Sequence, residues 1–203
     1  DFFHADSLVF DPSDLSQTTV PLFFTRWITH FCAPVFFFLA GTSAFLVGLR
    51  KGKKDLFFFL LTRGAWLVLL ELTVILFGWT FNINFPFFVL TAIWALGISM
   101  IALSLLIFLP FRAILLLGLA VIASHNLLDS IHASGTGWKA FIWCALHEER
   151  FGRENFTLLG RQLEVGYPVL AWIGVIAVGY CFGHLYQEKI KIEQRQKWLL
   201  WIG

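Results

Sequence analysis

His125, Asp129 and His132 are spaced i, i+4 and i+7, so on a helix that runs past Leu128 they share one face. A carboxylate beside an imidazole raises the basicity of the ring and holds its tautomer, which is what a general base needs. The same trio has the chemistry of metal ligands or of a polar helix end among headgroups; no metal site is assigned. Asn126 beside them can orient a substrate or a neighbouring helix.

Three other places carry groups out of keeping with their surroundings. His30 stands four residues before Pro34, a residue that lacks a backbone donor and frees a carbonyl one turn back, so the helix is expected to kink or restart there. His30 at such a break either faces a cavity, as an acid/base group, or snorkels to the interface. Glu71 lies inside the apolar run Trp66 to Val74, where a carboxylate costs about 2.5 to 3.5 kcal/mol unless it is protonated, paired or facing a polar cavity. Arg63 is about 12 Å away along a helix axis, so the partner of Glu71 must come from another helix. Arg50, Lys51, Lys53 and Lys54 crowd one short connection, suited to an orientation signal or to a phosphate-bearing ligand.

The elements that hold these groups follow from composition. Of 203 residues, 58% are hydrophobic and 14% charged, with 24 Phe and 9 Trp, against about a quarter charged in a soluble domain. So few polar side chains cannot cover a water-facing surface of this size, so lipid is the missing solvent. Disorder, collagen-like repeats and coiled coils fail for the same reason, and a net charge of +2 is no footprint for nucleic acid. Cys32, Cys144 and Cys181 are scattered without a CxxC pair and suggest neither a disulfide framework nor a thiolate zinc site. The sequence has no initiator Met and stops within an apolar run, so it is expected to be a fragment truncated at both ends.

Crossing the hydrocarbon core takes about 20 apolar residues in a helix. Ile28 to Leu49, Leu56 to Trp79, Phe87 to Leu109, Phe111 to Leu128 and Tyr167 to Tyr186 meet or approach that length. The expected fold is all-α: a polytopic transmembrane helix bundle of about five spans, residues 1–203 forming a single domain. Residues 129–166 form a polar loop with a short helix around Trp138 to Leu146. Basic residues orient the spans. Arg50, Lys51, Lys53, Lys54, Arg112, Lys189, Lys191, Arg195 and Lys197 mark one side, which is read as cytoplasmic. The loop 129–166 is then extracytoplasmic. His4, His30, His125, His132 and His147 fall at that outer face, and Arg63 snorkels toward the inner one.

Several strings together resemble bacterial members of the heparan-alpha-glucosaminide N-acetyltransferase catalytic-domain family. They are Pro21 to Ala44 (including Trp27-Ile28-Thr29-His30-Phe31-Cys32-Ala33-Pro34), Leu61-Thr62-Arg63-Gly64, Trp66 to Glu71, Trp94 to Met100, and Ser124 to Asp129. The resemblance covers most of the chain. It implies a polytopic enzyme that takes acetyl from cytoplasmic acetyl-CoA and delivers it to a sugar or glycan on the far side, with a histidine central to transfer. That role is carried over to His30 or His4, with a further span expected upstream of Asp1.

The expected roles are therefore His30 and His125 as alternative acid/base or acyl-carrying groups, His4 as a third candidate, and Asp129 orienting His125. Glu71 organises a buried polar cavity, and Arg50, Lys51, Lys53 and Lys54 meet the CoA phosphates. Expected partners are membrane lipid, a glycan or small-molecule acceptor, and a second copy in a homo-oligomer. The bacterial cytoplasmic membrane is the expected location. A transporter or channel, its polar residues lining a pathway, is the competing class, although no inverted repeat is visible.

Overall fold

A computed structural model describes residues 19–85, 87–149, 156–187 and 190–202. His4 and the acidic segment with Asp6, Asp11 and Asp14 lie outside the described residues, as do Arg150, Arg153, Glu154 and Lys189. The chain divides into two compact units, residues 1–36 and 37–203.

In the first unit, α1 (Val20–His30) stops and α2 (Cys32–Arg50) begins after the single residue Phe31. Pro34 cannot donate to the His30 carbonyl, so the α-helical ladder fails one turn upstream of it. The proline itself sits in the first turn of α2, where a missing N–H costs little. The expected restart therefore occurs just ahead of Pro34.

The second unit continues with α3 (Lys53–Leu70), one widened π-helical turn (Glu71–Ile75) and α4 (Leu76–Thr80). There follow β1 (Phe87–Leu90), α5 (Ala92–Leu106) and α6 (Phe111–Ser124). A tight 3-10 turn (His125–Leu128) leads to α7 (Trp138–Leu146), then β2 (Phe156–Leu158) and β3 (Arg161–Val165). The last elements are α8 (Leu170–Phe182), a 3-10 turn (Gly183–Tyr186) and α9 (Ile192–Ile202).

Among the described residues the fold is mostly helical, and three stretches are long and apolar enough to cross a membrane: Val20–Arg50, Lys53–Thr80 and Phe111–Leu128. Two expected spans are shorter. The run from Phe87 opens as a strand and is helical only from Ala92 to Leu106, and α8 has 13 residues before its 3-10 turn. Apolar runs do not distinguish a lipid-facing helix from a buried strand followed by a helix. The short helix around Trp138 to Leu146 forms as expected, but the surrounding stretch also contributes two strands to a small sheet that composition did not reveal.

That sheet has the order β1-β3-β2. β1 pairs with β3 in parallel, Phe87 opposite Gln162 and Leu90 opposite Val165, and β2 pairs antiparallel with β3, Phe156 opposite Leu163. Helix α7 packs on the sheet through Ala140 and Cys144 against Leu90, Phe156, Leu163 and Val165. Leu72 and Trp94 reach into this second core from the bundle, so sheet and α7 form a cap on one end of the helices.

The bundle is held by close helix crossings at small residues, Gly41 in the run Ala40-Gly41-Thr42-Ser43-Ala44 among them. A Cβ on Gly41 would collide with the Ile176 carbonyl oxygen, and one on Gly179 with that of Phe38. The Thr42 hydroxyl, 3.0 Å from the Gly179 oxygen, crosses the same α2–α8 contact. Gly64 and Gly97 bring α3 and α5 nearly as close: a Cβ on Gly97 would stand 2.6 Å from the Gly64 oxygen. Phe37, Leu56, Leu60, Leu103 and Ile176 fill the core between these crossings.

Candidate active site

The helices of the second unit have unlike ends. At one end lie Arg50, Lys51, Lys53 and Lys54, all exposed, between α2 and α3. Gly48 meets Leu56 there, and His184 packs against Phe45 and Phe111, which joins the ends of α2, α6 and α8 to the same region. Arg63 leans back one turn over the Phe59 ring, toward this end. The capped end carries Glu71, His125, Asp129, His132, His147 and Glu148. Sequence order thus turns into a separation of charges along the bundle.

Glu71 opens the widened turn and is 2% exposed. Its Oε1 accepts bonds from the Thr91 hydroxyl at 2.6 Å and the Thr91 backbone N–H at 3.2 Å. The partner does come from outside its own helix, as the cost of an unpaired carboxylate requires, and it is the residue that caps α5. Oε2 is buried without a hydrogen-bond partner. A π-turn adds a residue to the helix and re-aims the side chain at that point; here it sits where the bundle core gives way to the cap.

His125, Asp129 and His132 do not form one helical face. Helix α6 ends at Ser124, and the following turn is 3-10, so the i+4 and i+7 alignment is lost. His125 Nδ1 lies 2.8 Å from the Ile122 carbonyl oxygen within its own turn. Asn126 is exposed, its carbonyl accepting the Asp129 N–H. Asp129 Oδ1 instead meets His147 Nε2, at 3.0 Å, beyond the end of α7. His30 ends α1 in the first unit and is exposed.

The third histidine has the more open setting. His132 Nδ1 is 3.5 Å from Glu148 Oε1, with the His132 side chain 73% exposed and that of Glu148 16%. Glu148 Oε2 also accepts the Ala133 N–H at 3.0 Å, which fixes the carboxylate behind the ring. In front lies an open cleft of about 260 Å³ lined by Ile131, His132, Ser134, Lys139, Ala140 and Trp143. The Trp143 indole N–H donates to the Ile131 carbonyl at 3.0 Å and closes one wall. A neutral imidazole with a carboxylate beside Nδ1 keeps Nε2 as an acceptor, the arrangement of a general base.

Two histidine–carboxylate pairs thus join the turn after α6 to the end of α7, and they divide the work. His147, with 8% of its side chain exposed and its ring edge-on to Trp143, is a buried fastening; His132 points into open space. Spacing arguments missed His147 and Glu148 as site residues, because a separation of about sixteen to eighteen residues has no periodicity to read. The available signal was the clustering of His147-Glu148 at the end of a short apolar helix.

The profile of the family described as heparan-alpha-glucosaminide N-acetyltransferase, catalytic, matches residues 3–203. The chain belongs to this family. Its family and its apolar helices make it a membrane acetyltransferase-type protein, of a family that uses acetyl-CoA as acetyl donor. No match was found among curated proteins, and none among solved structures. Among the described residues no three His, Cys, Asp or Glu side chains converge as ligands for a metal ion.

Proposed function

We propose that this family member is an integral membrane acetyltransferase of about five spans that moves acetyl from cytoplasmic acetyl-CoA to an extracytoplasmic sugar or glycan. The bacterial cytoplasmic membrane is the setting, with residues 129–166 on the outer side. The observation that carries the reading is the exposed His132, backed by Glu148 and fronted by an open cleft, in a chain of acetyltransferase family.

In this scheme His132 Nε2 takes the proton from the acceptor amine or hydroxyl. The acceptor nitrogen or oxygen attacks the acetyl carbonyl carbon, the carbonyl bond to sulfur breaks, and the proton ends on the departing thiol. His4, His30 and His125 are the alternative acid/base or acyl-carrying groups. Arg50, Lys51, Lys53 and Lys54 attract the CoA phosphates at the other end. Glu71 organises the polar boundary between bundle and cap, and Asp129 keeps the turn in place through His147.

The test is CoA release from acetyl-CoA by the full-length protein with a panel of amino sugars. Release should depend on acceptor and fall about 10²- to 10⁴-fold in His132→Ala. Retention of full transfer in His4→Ala, His30→Ala, His125→Ala and His132→Ala, each tested singly, removes the histidine assignment. Acceptor-independent solute flux without CoA release replaces the enzyme with a carrier.

A further inference from the structure

Helix α7 has two unlike faces. Ala140 and Cys144 are buried against the sheet. Trp138, Ile142 and Leu146 are four residues apart, so they share the opposite side, where they are 69%, 46% and 37% exposed. The Lys139 ammonium stands 5.8 Å over the Trp138 ring at the edge of this face.

The segment before α7 leads back to a membrane-length helix. Ile131, 51% exposed, is tied to α7 by the Trp143 bond and leads back to Leu127, 78% exposed. From there the exposed side of α6 runs through Leu119 and Leu116, within the stretch Phe111–Leu128 that is long and apolar enough to cross a bilayer. A helix of nine residues is about 13 Å long and cannot span. Indole rings favour the headgroup level, and an ammonium beside one is suited to lipid phosphate.

We propose that α7 lies in the membrane plane, with Trp138, Ile142 and Leu146 seated in the phospholipid headgroup layer and Lys139 on its phosphates. Short amphipathic helices bind interfaces in this way. The polar stretch 129–166 is then a membrane-resting cap rather than a loop in water, and the cleft of His132 opens at the bilayer surface. The proposal rests on the membrane-spanning reading and is independent of the acetyltransferase chemistry.

The experiment places a nitroxide at Trp138→Cys, Ile142→Cys or, as a reference at the exposed start of α3, Lys53→Cys. The full-length protein, carrying Cys32→Ser to remove the exposed thiol, is reconstituted in phosphatidylcholine–phosphatidylglycerol vesicles; Cys144 and Cys181 are buried and stay. Labels at 138 and 142 should collide more with oxygen and several-fold less with a water-soluble nickel chelate than the label at 53. Equal nickel accessibility at 142 and 53 overturns the proposal. So does strong spin–spin broadening between labels at 142, which assigns this face to a second copy. Retention of full CoA release in the histidine variants would remove the histidine assignment and leave these readings unchanged, so the two proposals fail separately.

Discussion

Nε2 of His147 lies 3.0 Å from Oδ1 of Asp129, fastening the end of α7 to the turn that follows α6. The neighbouring His132–Glu148 pair joins the same two segments, but its imidazole faces outward. Two pairs of the same chemistry therefore have separable consequences.

Asp129→Ala should cost about 1 kcal/mol, near the low end for a lost charged hydrogen bond because the Asp129 side of the pair is open to water. His132→Ala removes an exposed ring and should change stability by less than about 0.5 kcal/mol while abolishing most transfer. Thermal unfolding in detergent together with acetyl transfer separates them. Equal loss of stability in both variants would mean that His132 is only another fastening.

Glu71 and Thr91 join the widened turn to the start of α5 through two hydrogen bonds to one carboxylate oxygen. Thr91→Val keeps the shape and removes the hydroxyl, leaving a buried carboxylate with one donor; a loss of about 1 to 3 kcal/mol is expected. Thr91→Ser should restore most of it. A Val variant as stable as the parent would show that this bond contributes nothing net.

The glycine crossings should be intolerant of a single methyl. Gly41→Ala and Gly179→Ala each drive a Cβ into backbone on the facing helix, and backbone cannot swing aside as a side chain can. Destabilisation of about 1 to 3 kcal/mol or more is expected. Gly78→Ala, in α4 with open space around its Cβ position, should instead be neutral or stabilising by up to about 1 kcal/mol. Monodispersity and melting temperature of the three variants in one detergent provide the comparison.

The basic connection tests the donor side. Exposed charge pairs are worth about 0.2 to 1 kcal/mol each. Replacing Lys51, Lys53 and Lys54 together by Gln should therefore raise the KM for acetyl-CoA roughly threefold to a hundredfold, with kcat little changed. The effect should shrink as salt screens the parent protein. An unchanged KM at low salt would send the CoA phosphates elsewhere.

Much of the framework was legible because it depends on composition and local order. The membrane class follows from too few polar side chains, and the break near His30 from one missing N–H at Pro34. The family was recognisable for a related reason: its signature is carried by whole contiguous strings. What failed in each case was an extrapolation over distance. The run from Phe87 reads as one span, yet its first residues pair with a β3 more than seventy positions away. The trio at 125, 129 and 132 reads as one face only if the α-helical pitch persists, and it ends at Ser124.

The amino-acid sequence by itself determined that this chain is a lipid-solvated helical protein with basic and histidine-bearing ends, because burial cost and helix periodicity act on neighbours along the chain. The tertiary structure decided which carboxylate serves which imidazole, and that Glu71 answers to Thr91. Hydrogen bonds act over about 3 Å, and only folding brings Asp129 to His147 or Glu148 to His132.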